Sequence, residues 1–218
     1  IRRAEGARVH ALATPLLTKA DGTKFGKTES GTVWLSPAMT SPYAFHQFFL
    51  NAEDAKVVEY LKIFTRRSAE EIEDLARQMR EAPHLRAAQR ALADDITDIV
   101  HSPAERKAAA AAAAAIFGRE DLGALPEATL KAVVAELGAP PMRVGEELPT
   151  VVGVMAAAGV VPSRSAARRA IDEGGAYLNN AKVTDPEARL VDSDLLYGRY
   201  VVVRRGRRTV GALAVEQQ

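Results

Sequence analysis

Cysteine is absent from this 218-residue sequence, so disulfide bonds and thiolate metal sites are excluded. No apolar run reaches the roughly 18 residues that a membrane-spanning helix requires, so the sequence predicts no membrane partner. The four histidines lack cysteine partners and the paired helical spacing of metal ligands, which argues against a metal site. The lack of cysteine fits a reducing compartment, and a cytoplasmic location is expected.

A charge bias is also missing over the whole chain, whose net charge is +1. The distribution is less even, because residues 151–218 hold ten Lys and Arg against seven Asp and Glu. Five arginines and no acidic residue occur between positions 199 and 208. This local density is typical of surfaces that bind phosphates, so the sequence predicts a basic patch in this region.

Apolar patterning divides the first two thirds of the sequence into two regions. Residues 1–40 are typical of the end of an α/β domain, with a strand predicted over residues 8–17. Ser41 and Pro42 then supply an N-cap and a first-turn proline, which predicts a buried helix. Helical periodicity continues over residues 41–138. It includes an alanine tract that needs no function, because alanine is the best helix former.

Consecutive prolines, Pro140 and Pro141, mark a change of character. Because they end a helix and favour extended chain, residues 139–149 are predicted as a linker. Residues 150–218 then show two short helices, short β segments and a hairpin around Gly206. The chain is therefore predicted to be multidomain, with the end of an α/β domain, an all-α bundle and a small α+β domain.

The most informative motif is Lys24-Phe25-Gly26-Lys27-Thr28, which follows a predicted turn at Asp21-Gly22. Lysine is a compact charge on a flexible stem, and a glycine-bearing loop can move. Such a loop suits closure over a polyphosphate, where it neutralises charge as the charge develops. Spacing alone, however, favours ordinary surface lysines.

The surroundings of this motif resemble the second signature loop of bacterial tyrosyl-tRNA synthetases. In that family the class I Lys-Met-Ser-Lys-Ser motif takes the form Lys-Phe-Gly-Lys-Ser/Thr. The similarity is specific from Pro15 to Asn51 and includes Trp34-Leu35, Thr40-Ser41-Pro42-Tyr43 and Phe45-His46-Gln47-Phe48-Phe49. It continues more loosely to the end of the sequence.

The resemblance implies a class I aminoacyl-tRNA synthetase that activates tyrosine with Mg-ATP and transfers it to the 3′ end of its tRNA. Lys24 and Lys27 are implied to hold the β- and γ-phosphates of ATP, with Gly26 in the same site. Thr28 is implied to help set the loop conformation. No cofactor is expected to stay bound to this segment.

The resemblance also implies that parts of the enzyme lie upstream of Ile1. These are the Rossmann-type domain with its His-x-Gly-His signature, the tyrosine pocket and the interface of a homodimer. ATP and tyrosine are expected to bind through that half. The segment alone is therefore expected to be inactive.

Residues 151–215 resemble the small RNA-binding fold named after ribosomal protein S-four. The shared pattern is a leucine- or valine-rich helix, then a serine-capped helix with Ala-Arg-Arg, followed by Ile-x-x-Gly-x-Val-x-Val-Asn. It appears here as Ser163, Ala167-Arg168-Arg169, Ile171 to Gly174, and Asn179. Ala176 and Leu178 stand where valines are common in that fold.

Arg164 and Arg168 are four residues apart, so they share a helix face away from the apolar stripe. Arginines on one face, with backbone amides at a helix start, suit the successive phosphates of a structured RNA. By resemblance, the helical block meets the anticodon stem and this domain the long variable arm of the tRNA. The predicted RNA-binding residues are Ser163, Arg164, Arg168, Arg169, Lys182, Arg204, Arg205 and Arg207.

Two other hypotheses remain open from the sequence. The C-terminal module could belong to a non-enzymatic protein that binds structured RNA, and the lysine loop would then have no catalytic role. A class I synthetase for another amino acid, with tryptophan the closest relative, is the third hypothesis. Phe25-Gly26 and the appended RNA-binding domain argue against it.

Overall fold

The computed structural model describes residues 2–6, 8, 10–28, 31–117, 121–145, 147–206 and 209–217. Its α-helices are α1 (Arg2–Glu5), α2 (Pro42–Leu50), α3 (Asp54–Phe64), α4 (Ala69–Glu81), α5 (Ala87–Val100), α6 (Pro103–Ile116), α7 (Glu127–Glu136), α8 (Val151–Ala157) and α9 (Arg164–Asp172). Its strands are β1 (Lys27–Thr28), β2 (Gly31–Thr32), β3 (Pro141–Val144), β4 (Ala176–Leu178), β5 (Ala181–Lys182), β6 (Tyr200–Arg205) and β7 (Thr209–Gln217). Short 3-10 helices cover Pro83–Leu85, Leu122–Ala124 and Asp192–Asp194.

The segment that follows α1 is irregular, so the strand predicted over residues 8–17 is wrong. Its described residues form no strand, and Leu12 is 96% exposed; Val9 lies outside the described part of the chain. A strand needs a neighbour that satisfies its backbone groups. Here antiparallel pairing begins only at Thr18, which bridges to Lys24.

Helices α2 to α7 confirm the predicted helical block, and local signals set their starts. Ser41 Oγ accepts a hydrogen bond from the Ala44 N–H (3.1 Å) at the start of α2. Ser68 and Glu71 form a capping box at the start of α4. Gly118, the second residue after α6, lies outside the described residues. Helix α2 is central to the block, because it contacts α5, α6 and α7.

A five-stranded sheet in the order β3-β7-β6-β4-β5 forms the C-terminal part of the chain. The pairs β7–β6, β6–β4 and β4–β5 are antiparallel, whereas β3 is parallel to β7. Strand β3 lies within residues 139–149, which corrects their prediction as a linker. Pro141 is the first residue of this edge strand, a position where its missing N–H is tolerated.

The two faces of this sheet belong to two different cores. Val201 and Val203 point towards α8 and α9, whereas Tyr200 and Val202 pack with α6 and α7. Every third residue of the alanine tract in α6 is buried in the second core: Ala109, Ala112 and Ala115. Small side chains let a helix approach a sheet closely, so the tract has a packing role as well as a high helix propensity.

Two side-chain hydrogen bonds join the C-terminal module to the helical block beside this shared core. Asn180 Nδ2 donates to the carbonyl oxygen of Ala115 (2.6 Å) in α6. The Tyr197 hydroxyl donates to the carbonyl oxygen of Leu125, just before α7. The RNA-binding face predicted on α9 is thus carried by a sheet that is packed directly on the helical block.

Candidate functional site

The predicted lysine loop is a short hairpin, here called the signature hairpin, whose described residues are 17–28 and 31–33. The Lys19 N–H donates to the carbonyl oxygen of Thr23 (2.8 Å), which closes the predicted Asp21-Gly22 turn. Gly22 has a φ of +83°, a left-handed conformation that favours glycine. The side-chain hydroxyl and the backbone N–H of Thr23 both donate to the Asp21 carboxylate, and these bonds lower its pKa.

Lys24 is exposed on this hairpin, and no acidic residue in the described part of the chain pairs with it. Gly26 follows with a φ of +83°, and its carbonyl oxygen accepts a hydrogen bond from the Val33 N–H (3.1 Å). Lys27 and Thr28 then form strand β1, paired with β2. The hairpin therefore presents an exposed positive charge, that of Lys24, two residues before a glycine with a positive φ. A lysine ammonium in such a position can bind an anionic ligand.

A cavity of about 680 Å³ opens between the signature hairpin and the helical block. Phe25 and Val33 of the hairpin line one side, and Gln47 of α2 and Tyr60 of α3 line the other. This cavity could not be predicted from the sequence, because the cavity depends on how the hairpin packs against residues that are distant along the chain.

The predicted RNA-binding face of α9 has the expected division. Ala166, Ala167, Ala170 and Ile171 are buried. Arg164, Arg168 and Arg169 are exposed. Arg168 Nη1 lies 2.6 Å from Glu187 Oε1, but both side chains are more than half exposed. Such a surface ion pair stabilises the fold little, so Arg168 can exchange it for a phosphate.

Ser163 lies at the start of α9, and the side chain of Lys182, from strand β5, lies near its end. Ser163 Oγ accepts a hydrogen bond from the Ala166 N–H (3.2 Å), so the hydroxyl caps the N-terminus of α9. Lys182 is exposed and extends along Gly174, just past the helix C-terminus, where a positive charge is favourable. The structure therefore gives both residues local roles in addition to the predicted contact with RNA.

Arg204 departs from the prediction, because it is only 7% exposed. Its guanidinium carbon lies 4.1 Å from the centre of the Tyr177 ring, and Nη1 donates to the carbonyl oxygen of Gly206. Packing and stacking therefore occupy this side chain, and we remove it from the RNA-binding set. Arg205, the next residue, is exposed, whereas Arg207 lies outside the described residues.

Contacts of the signature hairpin with the helical block were not predicted from the sequence. The Tyr60 hydroxyl of α3 donates to the carbonyl oxygen of Thr18 (2.9 Å), and Glu53 Oε2 accepts from the Ala20 N–H (2.8 Å). Within the helical block, His46 is buried, and its Nε2 lies 2.9 Å from Asp94 Oδ1.

Among the residues that the structure describes, no three His, Asp or Glu side chains come together as metal ligands. No helix within those residues is both long and apolar enough to cross a membrane.

Comparisons with known proteins identify two family models, one for the N-terminal part of the chain and one for the C-terminal part. Residues 1–118 match the family model described as tRNA synthetases class I (W and Y). Residues 133–210 match the model described as the tyrosine–tRNA ligase SYY-like C-terminal domain. The first match covers the signature hairpin and most of the helical block, and the second covers α9 and most of the five-stranded sheet.

Curated relatives are similar over almost the entire chain. A tyrosine–tRNA ligase of Cutibacterium acnes is 64% identical over 213 residues, which is 98% of this chain and 51% of that protein. The tyrosine–tRNA ligase of Kineococcus radiotolerans is 58% identical over 99% of this chain and 50% of its own length. That of Thermobifida fusca is 54% identical, with 98% and 50% covered.

The chain thus spans about half the length of the curated relatives that it matches. All three relatives carry the name of an enzyme, so the comparisons do not support a non-enzymatic RNA-binding protein.

Proposed function

Since this chain belongs to the class I tRNA synthetase family for tryptophan and tyrosine and carries the C-terminal domain of tyrosine–tRNA ligases, we propose that it works within such a ligase. The full-length enzyme activates tyrosine with ATP and transfers it to the 3′-terminal adenosine of its tRNA. The tyrosine pocket, the adenosine site and the interface of a homodimer belong to the other half. The chain alone is therefore inactive. The cytoplasm is the proposed location of the full-length enzyme.

The observation that carries this proposal is the exposed Lys24 on the glycine-bearing signature hairpin. In the activation step, the tyrosine carboxylate attacks the α-phosphorus of Mg-ATP, and the bond to the bridging oxygen breaks. Negative charge then accumulates on the leaving pyrophosphate. Lys24 and Lys27 bind its phosphate oxygens, and they stabilise the transition state more than the ground state because the charge is still growing.

Gly26 and Thr28 have supporting roles in the same site. Gly26 has no side chain and a positive φ, so its backbone can approach a phosphate and can change conformation as the hairpin closes. Thr28 helps to set the loop conformation. Magnesium enters with ATP as part of the substrate, and no resident cofactor is needed for this step.

Each of the three regions of the chain has its own proposed role. Residues 1–40 complete the catalytic domain, residues 41–138 meet the anticodon stem, and residues 150–218 bind a structured arm of the tRNA. The RNA-binding residues proposed on this last module are Ser163, Arg164, Arg168, Arg169, Lys182, Arg205 and Arg207. The exposed arginine face of α9 supports this role, because it presents positive charge without an apolar surface.

Amino-acid-dependent exchange between ATP and pyrophosphate by the full-length protein tests the proposed reaction. Exchange should require tyrosine, and tryptophan should not replace it. A site built to bind a substrate hydroxyl rejects analogues without it by roughly 10⁴-fold or more. Exchange with tryptophan alone, or with no amino acid, would refute the proposal.

The arginine face of α9 gives a second prediction. Replacing Arg164 and Arg168 together by alanine should weaken binding of the tyrosine tRNA roughly tenfold and reduce the salt dependence of log K by about 2, one per lost phosphate contact. Arg199→Ala is the matched control, because Arg199 is an exposed arginine of the same module that pairs with Glu216 (3.6 Å). Equal slopes for the double variant and the control would contradict the assigned role.

A further inference from the structure

The signature hairpin packs on the helical block through the aromatic ring of Phe25, a residue that has no role in the proposed function. Phe25 stands between the two lysines of the motif, and its ring is half-buried. It contacts four aromatic rings from two helices, here called the aromatic cluster. The ring centroids lie 4.3 Å from Tyr60, 5.1 Å from Phe48, 5.7 Å from Phe64 and 5.8 Å from Phe49.

Helix α3, which contains Tyr60, also holds the backbone of the hairpin through a hydrogen bond. The hydroxyl of Tyr60, a residue that is 1% exposed, donates to the carbonyl oxygen of Thr18 (2.9 Å). Thr18 is the bridge partner of Lys24, and the Phe25 N–H donates to the Leu17 carbonyl oxygen (3.1 Å). Tyr60 thus contacts both sides of the hairpin stem. Its ring packs on Phe25, and its hydroxyl donates to Thr18.

Burial raises the pKa of Tyr60 to about 12, so its hydroxyl keeps the donated proton at neutral pH. Titration of Tyr60 therefore does not affect the hydrogen bond to Thr18 near neutral pH.

Gly26 separates this fixed stem from the rest of the motif. Gly26 has a φ of +83°, and a Cβ added there would meet no atom within 4 Å. Lys24 lies on the stem side of Gly26, and Lys27 lies beyond it in strand β1. Holding the stem limits the hairpin to a small set of positions, which reduces the entropy lost when the lysines bind phosphate.

We propose that Phe25 and Tyr60 are positioning residues, which hold the stem of the signature hairpin on the helical block so that Lys24 and Lys27 meet the leaving pyrophosphate. This inference rests on the proposed function of the two lysines. It assigns the helical block a part in tyrosine activation, because Tyr60 and the other rings of the cluster belong to α2 and α3.

Two conservative substitutions in the full-length protein test the inference. Phe25→Leu keeps an apolar side chain but removes the ring contacts, and Tyr60→Phe keeps the ring but removes the hydrogen bond to Thr18. In tyrosine-dependent exchange, kcat should fall about tenfold for Phe25→Leu and about threefold for Tyr60→Phe. The KM for tyrosine should not change, because neither residue belongs to the proposed amino-acid pocket.

Each variant has a matched control in the same helical block. Phe45→Leu removes a ring that is 1% exposed and contacts Phe49, and Tyr43→Phe removes a buried hydroxyl. Neither Phe45 nor Tyr43 contacts the hairpin through a ring pair or a hydrogen bond among the described residues. Both controls should keep kcat within about twofold of the parent, even if the protein becomes less stable.

Amide hydrogen exchange supplies a readout that does not depend on activity. The Phe25 amide donates to Leu17, and its exchange should become about tenfold faster in Phe25→Leu but not in Phe45→Leu. If Phe25→Leu and Tyr60→Phe both leave the amide hydrogen exchange of residue 25 and the kcat unchanged, the positioning role is overturned. If Lys24→Ala leaves activity intact, the proposed function fails instead, and the amide measurement still decides whether the contact holds the stem.

Discussion

Lys24→Ala is expected to lower the kcat of tyrosine-dependent exchange by about a hundredfold or more in the full-length protein. Removing one preorganised group that stabilises transition-state charge typically costs roughly 10²–10³-fold in kcat. The KM for tyrosine should stay unchanged, since the proposed interaction is with the leaving pyrophosphate. Lys27→Ala should have an effect of the same order.

Lys62→Ala is a suitable control, because it removes an equal charge from an exposed position on α3. If the effect of Lys24→Ala came from a general loss of positive charge, the control would share it. A kcat within twofold of the parent for Lys24→Ala would show that the hairpin lysine does not contact developing charge.

The elements that could be predicted from the sequence are those with local signals. Helix α9 is one example, because Ser163 provides its N-cap, four apolar residues form its buried stripe and Gly174 follows its end with a φ of +69°. Each of these signals lies within about three turns of the helix. The basic face of α9 was predicted for the same reason, since helix periodicity alone assigns arginines to the opposite side.

The wrong predictions concern features that depend on distant partners. Residues 8–17 have strand-like composition but no neighbouring strand within the part of the chain that the structure describes. Pro141–Val144, by contrast, has linker-like composition but pairs with Ala214–Gln217. Arg204 looked equivalent to Arg205 in the sequence. Only the register of β4 against β6, which places Tyr177 opposite Arg204, distinguishes the stacked arginine from the exposed one.

The site shows the same division between local and distant signals. The hairpin motif was visible as a run of five residues, because its chemistry is contained in those residues. The hydrogen bond between Tyr60 and Thr18, by contrast, joins positions that are 42 residues apart. No pattern of residue types predicts such a pair, since tyrosine in a helix is usually part of the core.

Gly211→Ala is expected to destabilise the folded chain by about 3 kcal/mol, at the upper end of the range for overpacking. Gly211 lies in β7, where a Cβ would stand 2.6 Å from the Ala158 carbonyl oxygen and 2.8 Å from Val160 Cγ1. The carbonyl oxygen belongs to the backbone just after α8 and cannot move without shifting that helix from the sheet. The midpoint of urea denaturation should therefore fall by more than about 1 M.

Gly145→Ala provides the comparison that isolates this steric cause. A Cβ at Gly145 meets no atom within 4 Å, and its φ lies outside the left-handed region. The substitution should change the midpoint little, and the lost backbone freedom of the unfolded chain could even raise it slightly. Equal midpoints for the two variants would mean that α8 does not pack against β7 as closely as described. The α8–β7 contact matters for the proposed function, because β7 and α8 build the core that holds the arginine face of α9 in place.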